Sequence, residues 1–211
     1  MDGDRERWNA KWRERAGELE APAPFVVEHA GHLPPGGRAL DIAGGAGRHA
    51  IWLAQRGLEV VLVDVSDVAL ERAERRAHAL GLVKRLRFLR VDVDHDELPL
   101  APVFDVVVMF HYLNRARRDA IAGLLVPGGV LVAAQPTVTN LTRHEHPSER
   151  FCVAAGELGG WARRCGLAVE VDREDWNAEG RHEAELVARR ELPEDEPLPE
   201  PTRDTSQGPY R

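Results

Sequence analysis

A strand, a turn of very small residues and a helix follow one another between residues 38 and 56, and this arrangement constrains the fold more than any other part of the chain. The apolar run at 39–42 predicts a buried strand, residues 43–47 are all alanine or glycine, and residues 48–56 have helical character. In parallel α/β sheets such a turn lets a ligand approach the backbone at the carboxyl end of the strand. The stretch therefore predicts an α/β domain with a ligand site at this turn.

Further apolar runs predict the rest of the sheet. Four more strands are expected at 58–63, 85–91, 104–110 and 130–134. With a helical pattern after each of the five strands, we expect a Rossmann-like, doubly wound sheet that is mostly parallel and has helices on both faces. Two last runs, at 167–171 and 183–188, predict closing strands joined as a hairpin, which adds an antiparallel strand.

Length and composition favour a single α/β domain with flanking segments. The chain has 211 residues, of which 43% are apolar, and this suits one domain. We expect helices in residues 1–34 that form part of a substrate lid, the main domain in 35–190, and a disordered, acidic and proline-rich tail in 191–211. Cys152 and Cys165 are interpreted as reduced thiols, because nothing indicates a secreted disulfide framework.

Charge and hydropathy argue against several classes of partner. The net charge of −7 gives the chain no nucleic-acid footprint. No apolar run approaches the ~20 residues that a membrane-spanning helix needs, and the charged N-terminus lacks an apolar signal region. We therefore expect a cytoplasmic protein that binds neither nucleic acid nor membrane.

Small and acidic residues at the carboxyl ends of three successive predicted strands form the candidate cofactor site. The set consists of Asp41, Ala43, Gly45, Gly47, Asp64, Val65, Asp92 and Val93. A carboxylate at Asp64 can accept hydrogen bonds from ribose hydroxyls, and Asp92 can accept one from an adenine amino group. The set predicts an adenosine-containing cofactor. A tight packing turn, a helix-capping Asp64 and an ordinary turn Asp92 are the structural alternatives.

The residues after the central strand are expected to face the reactive end of that cofactor. Phe110 ends the strand and is assigned to the cofactor site, and His111 is the candidate general base. Tyr112 is a candidate catalytic donor of a hydrogen bond to an acceptor oxygen. His111 and Tyr112 each have a packing role as the alternative.

Taken together, these residues resemble the class I methyltransferases that depend on S-adenosylmethionine. The motifs that carry the resemblance are Asp41, Ala43, Gly45 and Gly47, with Ala43 in place of the commoner glycine, then Asp64, Asp92-Val93 and Pro127-Gly-Gly129. The resemblance covers about residues 25–189 and implies S-adenosylmethionine as the cofactor and methyl transfer as the activity. The pattern G-x-G-x-x-A at 45–50 leaves a nicotinamide-dependent oxidoreductase as an alternative, and a non-enzymatic cofactor-binding sensor is another.

A narrower resemblance is to the tellurite-resistance branch of these methyltransferases. It is carried by Trp8, Gly47-Arg48, Phe110-His-Tyr112 and Arg150-Phe151, while Gly44 and His49 stand where that branch often has Cys and Asn. It implies a small-molecule acceptor, of which tellurite, another chalcogen oxyanion and a thiol are examples. A soft acceptor of this kind needs no strong base, whereas a hydroxyl or amine would need one.

Polar residues at 142–151 and aromatic residues near the N-terminus complete the predicted site. The acceptor-side candidates are Trp8, Trp12, Arg143, His144, His146 and the catalytic candidate Arg150. The cations would bind an anionic acceptor, the two tryptophans would belong to the lid, and Arg48 would pair with the cofactor carboxylate or a substrate anion. The alternatives are a solvated charged loop and a plain hydrophobic contact. No metal site is predicted, since no third ligand accompanies the two histidines.

Overall fold

The computed structural model describes residues 2–15 and 21–192 of the chain. The tail is predicted at residues 191–211, and residues 193–211 of it lie outside the described residues. Within them, no helix is long and apolar enough to cross a membrane.

A seven-stranded sheet with the order β3-β2-β1-β4-β5-β7-β6 forms the centre of the fold. The strands are β1 Arg38–Ile42, β2 Glu59–Asp64, β3 Leu86–Arg90, β4 Phe104–Phe110, β5 Leu125–Pro136, β6 Leu167–Trp176 and β7 His182–Arg190. The first five pair in parallel, and β7 pairs antiparallel with both β5 and β6. The predicted fold class is therefore confirmed.

Helices cover both faces of this sheet. They are α1 Asp2–Glu14, α2 Pro24–Glu28, α3 Arg48–Gln55, α4 Asp67–Ala79, α5 Arg118–Ala122 and α6 Glu157–Arg164. One apolar cluster joins the sheet to α2, α3 and α4, and another joins it to α5 and α6. Alternate residues of a strand point to opposite faces, so Val132 lies in the first cluster and Ala133 in the second. Burial on both faces explains the continuous apolar runs of the strands.

The prediction of a helical pattern after every parallel strand is wrong at β3. Residues 91–103 form a turn and an irregular segment before β4 begins. Pro99 and Pro102 lie in this segment, and proline lacks the N–H that a helix interior needs. The helical pattern expected before β5 is also reduced, to the five residues of α5.

The strand order reverses between β1 and β4, which lie side by side at the centre of the sheet. The chain leaves β1 towards β2 on one side and leaves β4 towards β5 on the other. In open α/β sheets such a switch point opens a crevice at the carboxyl ends of the two strands, and ligands bind there. The residues that follow Ile42 and Phe110 are therefore expected to line a ligand-binding crevice.

Candidate cofactor and acceptor site

The turn after β1 has the backbone conformation that its small residues predict. Ala43, Gly45 and Gly47 have positive φ angles of 50°, 59° and 78°, which glycine adopts readily and most residues do not. Gly44 donates a backbone hydrogen bond of 3.1 Å to the carbonyl of Val63 in β2. A Cβ at Gly44 would lie 2.5 Å from the carboxyl carbon of Asp41. The turn is therefore folded tightly against the ends of two strands.

Two buried aspartates hold this turn in place. Asp41 Oδ2 accepts a 3.0 Å hydrogen bond from the N–H of Ala50 in α3. Asp64 Oδ2 accepts one of 2.8 Å from the N–H of Gly45, and its Oδ1 accepts one of 2.8 Å from the N–H of Ser66. The carboxyl ends of β1 and β2 are thus joined through the glycine turn.

The electrostatic state of Asp41 fits a site built for a ligand. Burial raises the pKa of Asp41 to about 7, although the Ala50 hydrogen bond and the positive charge of Arg48 oppose this shift. Its second oxygen, Oδ1, is buried and has no hydrogen-bond partner among the described residues. Burying an unpaired carboxylate oxygen is costly, so a ligand that donates to this oxygen would be stabilised here.

The Asp64 carboxylate stabilises the fold through hydrogen bonds and can still accept further hydrogen bonds from a ligand. Burial raises its pKa, and the hydrogen bonds from Ser66 and Gly45 oppose that rise. Each carboxylate oxygen has two lone pairs, so both oxygens can accept a further hydrogen bond. The neighbouring Ser66 is the N-cap of α4 and accepts a 3.1 Å hydrogen bond from the N–H of Ala69. The capping role therefore belongs to Ser66, and Asp64 stays a candidate for the ribose hydroxyls.

Helix α1 covers the glycine turn. Trp12 lies so close to Gly45 that a Cβ there would be 2.5 Å from the Cζ2 atom of the indole. Asn9 is 3% exposed, and its Oδ1 accepts hydrogen bonds of 2.7 Å from Ser66 Oγ and 3.3 Å from Val68 N. Trp8 is 38% exposed. The helix predicted as a lid is thus placed over the turn by Trp12 and by Asn9, which sequence reasoning missed.

The predicted adenine-binding position closes its own turn. Asp92 Oδ1 accepts a 3.1 Å hydrogen bond from the N–H of Asp94, and its Oδ2 lies 3.0 Å from His95 Nδ1. Val93 beside it is buried. These contacts match the ordinary-turn alternative, and a contact from Asp92 to adenine stays a prediction.

At the end of β4, Phe110 packs in the core and His111 carries the unusual backbone. The Phe110 ring lies 4.4 Å from the ring of His49, whose Nε2 accepts a 3.3 Å hydrogen bond from the N–H of Ala23. His111 has a φ of 56°, and such a conformation in a non-glycine residue marks a constrained position. Its Nε2 lies 2.7 Å from Oε1 of Glu183, the second residue of β7.

Glu183 is the most informative residue that the sequence did not reveal. It is 5% exposed, and it accepts hydrogen bonds of 2.9 Å from Asn177 Nδ2 and 3.0 Å from Arg181 Nε as well as facing His111. Burial alone would raise the pKa of Glu183, but the hydrogen bond and charge of His111, with Arg181 and Asn177, outweigh it and hold that pKa below its ordinary value. Glu183 is thus a buried carboxylate that stays ionised.

Tyr112 is held as a hydrogen-bond donor within a small cluster. Its hydroxyl donates to Asp94 Oδ1 over 2.9 Å, and Asn114 Nδ2 donates to the same oxygen over 2.7 Å. Burial and the charge of Asp94 raise the pKa of Tyr112 far above its ordinary value. Gln135 Nε2 donates to the Tyr112 carbonyl, while Gln135 Oε1 is buried without a partner among the described residues. The Tyr112 hydroxyl is therefore already engaged, and its predicted donation to an acceptor stays untested.

The polar loop after β5 packs against the β6–β7 turn. The guanidinium of Arg143 lies 3.8 Å from the ring of Trp176, and His144 Nε2 lies 2.7 Å from the carbonyl of Gly180. The backbone carbonyl of His146 accepts a 3.1 Å hydrogen bond from Asn140. The loop lies at the same edge of the sheet as His111, since β7 begins where β5 ends. Binding of an anion by these residues stays a prediction.

A second anchor of this loop was also missed. Arg115 donates from Nε and Nη2 to the two carboxylate oxygens of Glu157, both over 2.7 Å. The same guanidinium donates to the carbonyls of Arg150 and Cys152 over 3.3 Å and 2.9 Å. The Arg150 guanidinium lies 4.5 Å from the ring of Phe151. The loop backbone at Arg150 is therefore fixed, and the predicted catalytic role of its side chain is not tested by these contacts.

Comparison with known proteins identifies the segment that carries the glycine turn. Residues 39–129 match the family described as a methyltransferase domain. The tRNA 5-carboxymethoxyuridine methyltransferase of Escherichia coli K12 is 35% identical over 99 residues, which are 44% of this chain and 38% of that protein. The ubiquinone biosynthesis O-methyltransferase of Alkalilimnicola ehrlichii is 28% identical over 166 residues, or 69% of this chain and 66% of that protein.

Solved structures share the fold of the methyltransferase domain at low identity. A S-adenosylmethionine-dependent methyltransferase from Methanosarcina mazei aligns with a TM-score of 0.64 and 18% identity over 82% of this chain and 100% of its own. TehB from Haemophilus influenzae aligns with a TM-score of 0.65 and 18% identity over 89% of this chain and 67% of its own. At these identities the likeness shows the fold alone.

Residues 39–129 thus resemble methyltransferase domains, and a solved structure with a similar fold is described as a S-adenosylmethionine-dependent methyltransferase. The chain spans less than half the length of the first curated relatives that it matches, 38% of the E. coli protein. The relatives act on different acceptors, as their names state. The tellurite branch is not established by the likeness to TehB.

Proposed function

We propose that this chain is a S-adenosylmethionine-dependent methyltransferase that acts on a small-molecule acceptor. The observation that carries the proposal is the glycine turn at the switch point of the sheet, held between Asp41 and Asp64, with Asp41 Oδ1 buried and unpaired within the described part of the chain. This arrangement fits the cofactor in two ways. The turn lacks side chains where a ligand would pass, and the buried oxygen lacks the donor that a ligand would bring.

Each element around the turn has a task in this proposal. When bound, the cofactor supplies a methyl group on a positively charged sulfur, which is a good leaving group. Asp64 accepts hydrogen bonds from the ribose hydroxyls, and the turn from Ala43 to Gly47 lets the ligand lie against the backbone. Helix α1, through Trp12, excludes water above the turn. Residues after Phe110 orient the acceptor.

The acceptor is proposed to be small because the charge of the chain disfavours a polyanion. The net charge is −7, and a protein that binds nucleic acid usually presents a basic surface. One relative is a tRNA methyltransferase and another is an O-methyltransferase of ubiquinone biosynthesis, so the scaffold itself accommodates both classes. Tellurite and thiols are the acceptors that the narrower resemblance implies.

The proposal is tested by following methyl transfer from S-adenosylmethionine carrying a labelled methyl group. The purified chain is incubated with catechol, dithiothreitol, tellurite or total tRNA, and S-adenosylhomocysteine release is measured against a control without acceptor. Release that depends on a small molecule supports the proposal. Release with tRNA alone contradicts the small-molecule acceptor, and cofactor binding without release in any mixture supports the sensor alternative instead.

A further inference from the structure

We infer that His111 and Glu183 form a proton-accepting pair and that the acceptor presents a hydroxyl group to the methyl donor. The inference rests on the proposed function, because it assigns the substrate class of the same site. It goes further in giving Glu183 a role as a positioning residue and in naming the ring nitrogen that takes the proton.

The sheet places the two side chains together at its carboxyl edge. His111 follows β4, Glu183 lies at the start of β7, and β5 runs between these strands. The backbone N–H of His111 donates a 2.9 Å hydrogen bond to the carbonyl of Ala134 in β5, and Glu183 pairs with Pro136 at the end of the same strand. The two residues therefore meet beyond the end of β5, over a distance of 2.7 Å between Nε2 and Oε1.

The chemistry of the pair fixes the orientation of the imidazole. An ionised carboxylate only accepts hydrogen bonds, so the proton between the two groups belongs to His111 Nε2. In the neutral ring the other nitrogen, Nδ1, then carries the lone pair that can accept a proton. The His111 side chain is 33% exposed, which leaves a route for that proton to solvent.

A purely structural role explains this pair less well. Glu183 also has Arg181 and Asn177 as partners, so the histidine is not the sole group that compensates its buried charge. His111 holds a positive φ of 56°, a conformation that costs a non-glycine residue about 1–3 kcal/mol. This unfavourable conformation occurs at the switch point, next to the glycine turn, where a base would be needed.

A base at this position matters most for a hydroxyl acceptor. The hydroxyl oxygen forms its bond to the methyl carbon while the carbon–sulfur bond breaks and its electron pair stays on sulfur. The hydroxyl proton passes to His111 Nδ1, and the Glu183 carboxylate stabilises the resulting imidazolium until the proton leaves to solvent. An amine attacks through its own lone pair and needs a base only to remove the proton that it carries, whereas a thiolate or chalcogen oxyanion has no proton to lose.

The orientation of the ring is tested first, on the protein without cofactor. Nitrogen NMR of histidine-labelled protein separates the two neutral tautomers, and His111→Gln identifies the His111 signals among the nine histidines. We expect the Nε2–H tautomer in the wild type, its loss or mixing in Glu183→Gln, and no change in the control Glu185→Gln. Glu185 lies two residues further on β7 and pairs with Arg173. An Nδ1–H tautomer in the wild type overturns the inference.

The acceptor class is tested with hydroxylated aromatic compounds, starting with catechol, against dithiothreitol and tellurite. With a hydroxyl acceptor, Glu183→Gln is expected to lower kcat about 100-fold while the Michaelis constant for that acceptor and the affinity for S-adenosylhomocysteine by calorimetry stay unchanged. Turnover of tellurite or dithiothreitol alone, unaffected by Glu183→Gln, overturns the inference and leaves the proposed methyltransferase intact. Failure of the folded wild type to bind S-adenosylhomocysteine removes the proposed function itself. If S-adenosylhomocysteine binds and no probe is turned over, the hydroxyl acceptor is overturned, and the tautomer decides only the pairing of His111 with Glu183.

Discussion

Asp64 shows, at the scale of single residues, how one carboxylate supports the fold and remains available to a ligand. Its two oxygens accept the N–H groups of Gly45 and Ser66, which brings the end of β2 to the turn after β1. The remaining lone pairs are free of these bonds. Asp41 differs, because only one of its oxygens has a partner among the described residues.

Asp64→Asn is expected to weaken S-adenosylhomocysteine binding about 10- to 100-fold. The amide keeps one acceptor for the backbone but loses charge and acceptor capacity, and a hydrogen bond to a charged group contributes about 1.5–3 kcal/mol. Isothermal titration calorimetry measures the effect, with Asp67→Asn as the control because Asp67 is a nearby surface acid. Equal affinities for wild type and Asp64→Asn would remove Asp64 from the cofactor site.

Asp41→Asn is expected to change how stability depends on pH. The folded chain holds the Asp41 proton up to a pKa of about 7, against an ordinary value of 3.8, so the associated stability is present below the lower value and is lost as pH rises through the higher one. The variant lacks this loss. The free energy of unfolding is measured in urea at pH values below, between and above these two pKa values. We expect the stability of the variant to rise relative to that of the wild type as the pH increases from the lower value to the higher one. Parallel stability curves would contradict the buried, unpaired state of Asp41.

At the scale of elements, two segments far apart in the chain are attached over the carboxyl edge of the sheet. Helix α1 is held by Asn9 on Ser66 and Val68. The loop between β5 and α6 is held by Arg115 on Glu157. Each attachment includes a buried or partly buried polar side chain, so one substitution can remove several of its hydrogen bonds.

Asn9→Ala is expected to loosen α1. The substitution removes the acceptor of the fully buried Ser66 hydroxyl and of the Val68 N–H, which costs about 1–3 kcal/mol. Hydrogen–deuterium exchange should become faster in α1, and S-adenosylhomocysteine binding should weaken. Arg13→Ala, an exposed change in the same helix, serves as the control. Unchanged hydrogen–deuterium exchange in Asn9→Ala would mean that other contacts hold α1 over the glycine turn.

Glu157→Gln is expected to release the acceptor-side loop. Hydrogen bonds from Arg115 lower the pKa of Glu157 to about 2, against the effect of burial, so the attachment is present above the ordinary carboxylate pKa of 4.5 and is lost as pH falls towards 2. At neutral pH the variant should show faster hydrogen exchange in residues 150–156 than the wild type or Glu149→Gln. Exchange equal to the wild type would show that the loop is fixed elsewhere.

At the scale of the whole molecule, local patterns predicted the fold, and they supply the candidate cofactor residues. The small residues at 43–47 and the acids at the ends of β1 and β2 are read directly from neighbouring residues, because strand, turn and helix form one continuous segment. The apolar runs predicted all seven strands, although β5, β6 and β7 extend beyond the predicted bounds. The extension of β6, residues 172–176, contains no buried residue and so carries a weaker apolar signal.

The acceptor side could not be predicted in the same way. His111 and Glu183 are 72 positions apart, and Asn9 and Ser66 are 57 apart. Such pairs meet only because the fold brings β4, β5 and β7 together and lays α1 against the start of α4. Binding of an anion by Arg143 and His144 stays a prediction. Their partners are the ring of Trp176 at the end of β6 and the carbonyl of Gly180 in the β6–β7 turn, which no local pattern connects to them.

Calorimetric titration of the purified chain with S-adenosylhomocysteine and, separately, with NADH tests the central claim most directly. The account predicts saturable binding of S-adenosylhomocysteine at one site per chain, weakened in Asp64→Asn, and much weaker or no binding of NADH. Tighter binding of NADH, or no binding of S-adenosylhomocysteine by folded protein, would contradict the methyltransferase assignment.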